Sequence, residues 1–324
     1  MKAVLCKAFG PPESLVIEEV EPLTPGRGQA VISVKACGVN FPDTLIIQGL
    51  YQFKPPPPFS PGGEVAGVVK EVGAGVENVK PGDRVIAFTA YGGFAEEVLT
   101  EAATLIPMPA DMDFDVASAF VMTYGTDIHA LKDRAKLQRG ETLLVLGAAG
   151  GIGLAAVELG KAMGAKVIAA ASTEEKLAIC RQHGADDTIN YSSEDLKERI
   201  KALTNGQGVD VIVDPVGGAY SEPALRGMAW NGRFLVIGFT AGDIPRIPLN
   251  LTLLKGCSIV GVFWGSFAAR DPQHNQENLR DLMGLLQAGK LRPRISARYP
   301  LERAADALND IMQRKVTGKA VLTI

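Results

Sequence analysis

The stretch Leu143-Leu-Val-Leu-Gly-Ala-Ala-Gly-Gly-Ile-Gly153 reads as a strand that runs into a glycine turn and then a helix. Leu143 to Leu146 form a short apolar run suited to a buried parallel strand. Gly147 breaks it, and Ile152, Ala155, Ala156, Leu159 and Met163 then recur at helical spacing. Gly150, Gly151 and Gly153 sit between the two periodicities. Glycine there allows a tight turn, lets backbone N–H groups approach an anion, and permits close packing of helix on strand. The unbonded N–H groups and positive dipole end of the new helix favour a phosphate at that point. A further strand candidate, Val167–Ala171, follows the helix. The segment is therefore expected to cradle a dinucleotide's pyrophosphate, with Ala149, Gly150, Gly151 and Ile152 in contact. One position departs from G-x-G-x-x-G: Ala148 stands first, with Gly150 and Gly153 in the other two places.

The end of the second strand, about twenty residues on, decides which dinucleotide is favoured. An NAD site would place a carboxylate there for the ribose 2′-OH. This chain reads Ala169-Ala-Ala-Ser-Thr-Glu-Glu-Lys176, so Ser172 ends the strand and Lys176 lies one helical turn further on. A hydroxyl does not repel a 2′-phosphate, and the lysine offers it a partner. Glu174 and Glu175 fall in the first turn of the next helix, where they complement its dipole. Ser172 could equally be an N-cap. NADPH is the expected cofactor.

Composition narrows the remaining classes. The 324 residues suffice for two domains with large cores. A formal net charge of −3 and scattered basic residues give no stripe for nucleic acid. No apolar run approaches the length of a membrane span. The N-terminus, Met-Lys-Ala-Val-Leu-Cys-Lys, interrupts its apolar stretch with Lys7; it reads as an edge strand rather than a signal peptide, and a cytoplasmic protein is expected. Cys6, Cys37, Cys180 and Cys257 contain no C-x-x-C pair. His129, His183 and His274 flank no cysteine at ligand spacing, so neither a disulfide framework nor a structural zinc is expected.

Short β-type runs fill the first part of the chain: Ala30–Lys35, Val65–Val72, Arg84–Phe88 and Glu96–Leu99, separated by turns such as Pro81-Gly-Asp83. Beyond residue 123 strands and helices alternate. Strand candidates are Leu143–Leu146, Val167–Ala171, Thr188–Asn190, Val209–Val213, Arg233–Ile237 and Ser258–Val262. The expected fold is α/β: a β-barrel-type domain from residues 1–122 and 270–324, and a doubly wound, Rossmann-type NADP-binding domain over 123–269. Amphipathic helices are expected near Gln276–Gln287, stopped by Gly289, and around Leu301–Gln313, with a closing strand at Lys319–Ile324.

This layout resembles the medium-chain dehydrogenases/reductases. Gly38-Val-Asn-Phe-Pro-Asp43, Pro61-Gly-Gly-Glu64, Pro81-Gly-Asp-Arg-Val85, the Ala148–Gly153 turn and Gly261-Val-Phe-Trp-Gly265 resemble their quinone oxidoreductase, or ζ-crystallin-like, branch. The resemblance covers essentially the whole chain and implies a GroES-like catalytic domain. Zinc-dependent members place a cysteine ligand where this chain has Asn40 and a histidine where it has Gly63. Neither replacement serves a tetrahedral zinc, so metal-free catalysis is expected. Without a Lewis acid, an isolated carbonyl is a poor acceptor, whereas NADPH can give hydride to a quinone or an enone.

The resemblance also implies roles for particular residues. Asn40 would donate a hydrogen bond on the substrate side of the nicotinamide; alternatively it is a turn asparagine. Tyr51, in Gln48-Gly-Leu-Tyr51, would donate a proton or touch the acceptor oxygen, or else pack above the cleft. Related enoyl-thioester reductases carry a tyrosine in similar context. Thr123 is expected near the nicotinamide and phosphates, and Tyr191 and Lys319 near the 2′-phosphate. Gly217, Gly238 and Phe239 lie at strand C-terminal ends, where ligands bind in such sheets. Backbone at Phe263 and Trp264 would hold the carboxamide, with the Trp264 ring either walling the cleft or packed in the core. His129 is assigned to packing. Glu64 occupies a position shared with the zinc enzymes, and without a metal a purely structural role is expected for it.

The leading expectation is an NADPH-dependent quinone or enone oxidoreductase. The alternatives are an enoyl-thioester reductase, for which no basic cluster for coenzyme A phosphates is evident, and an NADPH-binding structural or RNA-binding protein of crystallin type. The family's dimers often join edge strands, so a homodimer through Ser258–Val262 is expected, with no nucleic-acid or membrane partner.

Overall fold

The chain folds as two units, residues 1–122 with 293–324 and residues 123–292, and a computed structural model describes all of residues 1–324. In the first unit β1 (Lys2–Leu5) and β2 (Val16–Glu19) make an antiparallel ribbon. The main strand, β3 (Gln29–Val39), leads into the short helix α1 (Phe41–Ile46). After it come β4 (Glu64–Val72), β5 (Arg84–Phe88), β6 (Glu97–Glu101), β7 (Ile106–Pro107) and the single turn α2 (Phe114–Ala117). Alternation sends Ala30, Ile32 and Val34 into a core shared with Val65, Val69, Val85 and Val98. Two register shifts in the β3–β4 ladder bend the sheet.

The second unit begins within α3 (Val121–Ile128), which continues as a turn of π-helix over His129–Arg134. Then β8 (Thr142–Leu146), α4 (Gly151–Ala162), β9 (Lys166–Ala171), α5 (Glu174–Gln182), β10 (Asp187–Asn190), α6 (Leu196–Leu203), β11 (Val209–Asp214), α7 (Ser221–Arg226), β12 (Met228–Val236), α8 (Asn250–Lys255) and β13 (Ser258–Gly261) alternate. The strands form one parallel sheet, ordered β10-β9-β8-β11-β12-β13. Both faces are covered, so Leu143–Leu146 and Val167–Ala170 are wholly buried, as continuous apolar runs require. The order reverses at β8, where a doubly wound sheet opens its ligand crevice.

The sequence expectation ended this unit at residue 269. The observed boundary is 292, because α9 (Trp264–Arg270) and α10 (Pro272–Gln287) are fastened to the second unit. His129 stacks on Phe267 with ring centroids 3.9 Å apart. Asp133 accepts from Asn278 Nδ2 at 2.8 Å and faces His274 Nε2 at 3.2 Å. The helix also starts earlier than periodicity indicated. Asp271 caps it by accepting the His274 N–H, and Pro272 opens the first turn.

The chain then returns to the first unit through β14 (Ile295–Pro300), α11 (Ala304–Met312) and β15 (Lys319–Thr323). β15 pairs antiparallel with the end of β3 and parallel with β14. Leu301–Arg303, expected as helix, forms a separate 3-10 turn before α11.

Candidate active site

The glycine turn after β8 has the geometry its sequence requires. A methyl on Gly153 would lie 2.5 Å from the Ala148 Cα, so only glycine lets the helix start this close to the strand end. Gly150 is the N-cap of α4 and has no side chain to cap it. The N–H groups of Gly151, Ile152 and Gly153 consequently have no acceptor within the chain. The turn thus presents a row of donors at the positive end of a 12-residue helix, which fits a pyrophosphate.

Neighbouring strand ends carry the other expected contacts. Ser172 follows β9, but the N-cap of α5 is Thr173, whose hydroxyl accepts from the Lys176 N–H at 3.4 Å. Tyr191 follows β10 and packs against Tyr220, with ring centroids 4.3 Å apart and planes tilted by 41°. After β11 the buried Asp214 carboxylate accepts from the N–H groups of Val216 and Gly217 at 2.8 Å and from the Ser221 hydroxyl at 2.6 Å. That triple anchor holds Gly217 at φ 71°, a left-handed conformation open to glycine, and packs it against the Phe239 ring. Thr240 and Ala241 N–H groups bond back to Pro215 and Val216. Gly217, Gly238 and Phe239 are therefore laced together at the same C-terminal end of the parallel strands as the glycine turn. Thr123 lies buried near the start of the unit.

In the first unit three strand ends meet. Register places Gly38 of β3 opposite Glu64, the first residue of β4, and Val39 opposite Ala320, next to Lys319 at the start of β15. Asn40 is the junction between β3 and α1, and its N–H donates to the Asp43 carboxylate at 2.7 Å. The Asn40 amide donates through Nδ2 to Glu64 Oε2 at 3.0 Å and to Gly38 O at 3.3 Å. Lys319 Nζ donates to Asn40 Oδ1, to Val39 O at 3.1 Å and toward Glu64 Oε2 at 3.5 Å. Glu64 Oε1 accepts the Met122 N–H at 2.8 Å. All four side chains, Asn40, Asp43, Glu64 and Lys319, are buried. Burial pushes the Asp43 carboxyl up to about 7, against the pull of the Asn40 N–H. Tyr51 is half-buried, and burial, aided by Asp43, raises its phenol.

Lys319, expected near the 2′-phosphate, has its Nζ bonded to Val39, Asn40 and Glu64 inside the first unit. The Trp264 ring is core rather than a wall, 5% exposed, bonded through Nε1 to Asn275 at 2.9 Å and packed on Gly125. Phe263 beside it is 53% exposed. Sequence reasoning missed Asp43 and Asp214 as organisers of their loops, and it gave Glu64 no partners. The available signal was a carboxylate at a strand end or first helical turn next to glycine.

Two family descriptions match: an alcohol dehydrogenase GroES-like domain over residues 26–110 and a zinc-binding dehydrogenase domain over residues 151–286. A quinone oxidoreductase-like protein 2 homolog from Nematostella vectensis is 42% identical over 99% of this chain and 88% of its own length. The crystal structure of Escherichia coli quinone oxidoreductase complexed with NADPH superposes with a TM-score of 0.92 at 31% identity, covering 100% of both chains. The CurK enoyl reductase superposes at 0.90 with 26% identity, over 99% of this chain and 98% of its own. The shared pair of domains, the order of motifs and this identity place the chain in the quinone oxidoreductase family of the medium-chain dehydrogenases/reductases.

Proposed function

We propose that the protein binds NADPH and reduces quinones or related α,β-unsaturated carbonyl compounds without a metal ion. The observation that carries this reading is the row of unpartnered N–H groups at Gly151, Ile152 and Gly153, at the switch point of the sheet. When bound there, NADPH supplies a hydride. Preference for the phosphorylated coenzyme is supported by Ser172 where an NAD enzyme would hold a carboxylate, with Lys176 in the next helical turn and Tyr191 on the adjacent strand end. The E. coli neighbour was crystallised with NADPH.

Metal independence is supported by residue identity. Asn40 and Gly63 stand where zinc-dependent relatives carry ligands, and the Lys319 ammonium lies against Asn40 and Glu64, where it would repel a cation. Asn40 is the group we assign to the acceptor oxygen. Tyr51, with no hydrogen bond to the rest of the chain, is the group we assign to proton delivery. A homodimer formed through β13 completes the proposal.

Enoyl-thioester reduction is the second reading, favoured by the CurK superposition and by the free Tyr51 hydroxyl. Steady-state turnover of 1,4-naphthoquinone and crotonyl-coenzyme A with NADPH separates the two. A higher kcat/KM on the quinone is expected; a clear excess on the thioester would select the second reading.

A further inference from the structure

We propose that Lys319 is a positioning residue that fixes and polarises the Asn40 amide for the acceptor oxygen; this rests on the reductase reading above. A primary amide has one accepting and one donating end, and nothing in its shape prevents a half-turn that exchanges them. Here the surroundings decide. The Lys319 ammonium can only donate, and it stands at Oδ1. The Glu64 carboxylate accepts, and it stands at Nδ2. A half-turn would set N–H against ammonium and carbonyl against carboxylate in a buried site. The backbone enforces this arrangement, because Lys319 and Asn40 flank the β3–β15 ladder and Glu64 opens β4 on the other side.

The same contacts strengthen the amide as a donor. A charged donor on its oxygen and a carboxylate on one N–H both increase its polarity. The second N–H reaches Gly38 O at 3.3 Å, the longer of its two bonds and the one an incoming oxygen would displace. A bound NADPH would supply one hydride, and the acceptor's displaced electron pair would settle on its oxygen. A proton from Tyr51 or water then completes the hydroquinone or saturated ketone, with NADP+ left behind. Lys319 neither gains nor loses a proton. Its effect falls on the charged oxygen more than on the neutral substrate, so it enters kcat before KM.

Removing Lys319 alone would strand the Glu64 charge, so the informative variants are Lys319→Met with Glu64→Gln, and Lys319→Gln with Glu64→Gln. In the first, kcat on 1,4-naphthoquinone is expected to fall about 100-fold, the scale of losing one oxyanion donor, with NADPH affinity unchanged. The second restores an N–H at Asn40 Oδ1 and is expected to recover part of the loss. In nuclear magnetic resonance spectra the Asn40 side-chain N–H signals should be sharp and slow to exchange in the wild type, and should lose that protection in the first variant. Wild-type kcat in the first variant, or a selective loss of NADPH over NADH binding, would overturn the inference. If the wild type reduces no quinone or enone, the proposed function fails instead, and the Asn40 signals still decide whether Lys319 holds the amide.

Discussion

Two buried carboxyl groups show how much placement matters at the scale of a residue. Glu64 meets N–H groups from Met122, Asn40 and Lys319, whereas Asp127 on α3 has neither oxygen bonded and is fully buried. Burial alone drives the Asp127 carboxyl well above its ordinary range. Folding therefore retains a proton that the unfolded chain would release above about pH 4. The contribution of Asp127 to stability is greatest in acid and is lost as pH rises toward the folded value. Asp127→Ala should flatten that loss between pH 5 and pH 8. Urea unfolding of both proteins at the two pH values checks this, and parallel pH profiles would refute it. Asn40 was legible in the sequence because its motif is local. The bond from Lys319 to Asn40 was not legible, because the two lie 279 residues apart and are brought close only by strand pairing.

Among elements, those with a strong local period were read within a few residues: the six parallel strands, α10 and α11. The rest depended on distant partners. β3 runs on through Ala36–Val39, past its expected end, because β15 pairs there, and no local alternation signals that. The π-helical turn at His129 had no sequence signature either. The β8–α4 element can be tested by substitution. Gly153→Ala drives a methyl into the backbone at Ala148 and should cost about 1–3 kcal/mol, together with NADPH binding. At Gly150 a methyl meets nothing nearer than 3.4 Å, so Gly150→Ala should keep its folding stability. Urea melts of the pair decide; equal stability in the two variants would contradict the packing argument.

At the scale of the whole molecule, the second unit leaves unusual surface uncovered. β13 ends its sheet with one edge unpaired. Nearby α8 exposes Leu253 and Leu254, and Leu249 precedes it; Trp230 packs on Gly256 at its C-terminus and is 70% exposed. An open edge beside apolar side chains suits a second copy of the chain. Light scattering should give about twice the 34.3 kDa chain mass, and Leu253→Glu should shift it toward one chain. A wild-type mass of 34.3 kDa would exclude the dimer. No helix is long and apolar enough to cross a membrane.

Calorimetric titration of the purified protein with NADPH and NADH tests the account most directly. One NADPH per chain should bind, about tenfold or more tighter than NADH, a difference of roughly 1.4 kcal/mol, and Lys176→Ala should erase most of that difference. Heat from neither coenzyme would contradict it.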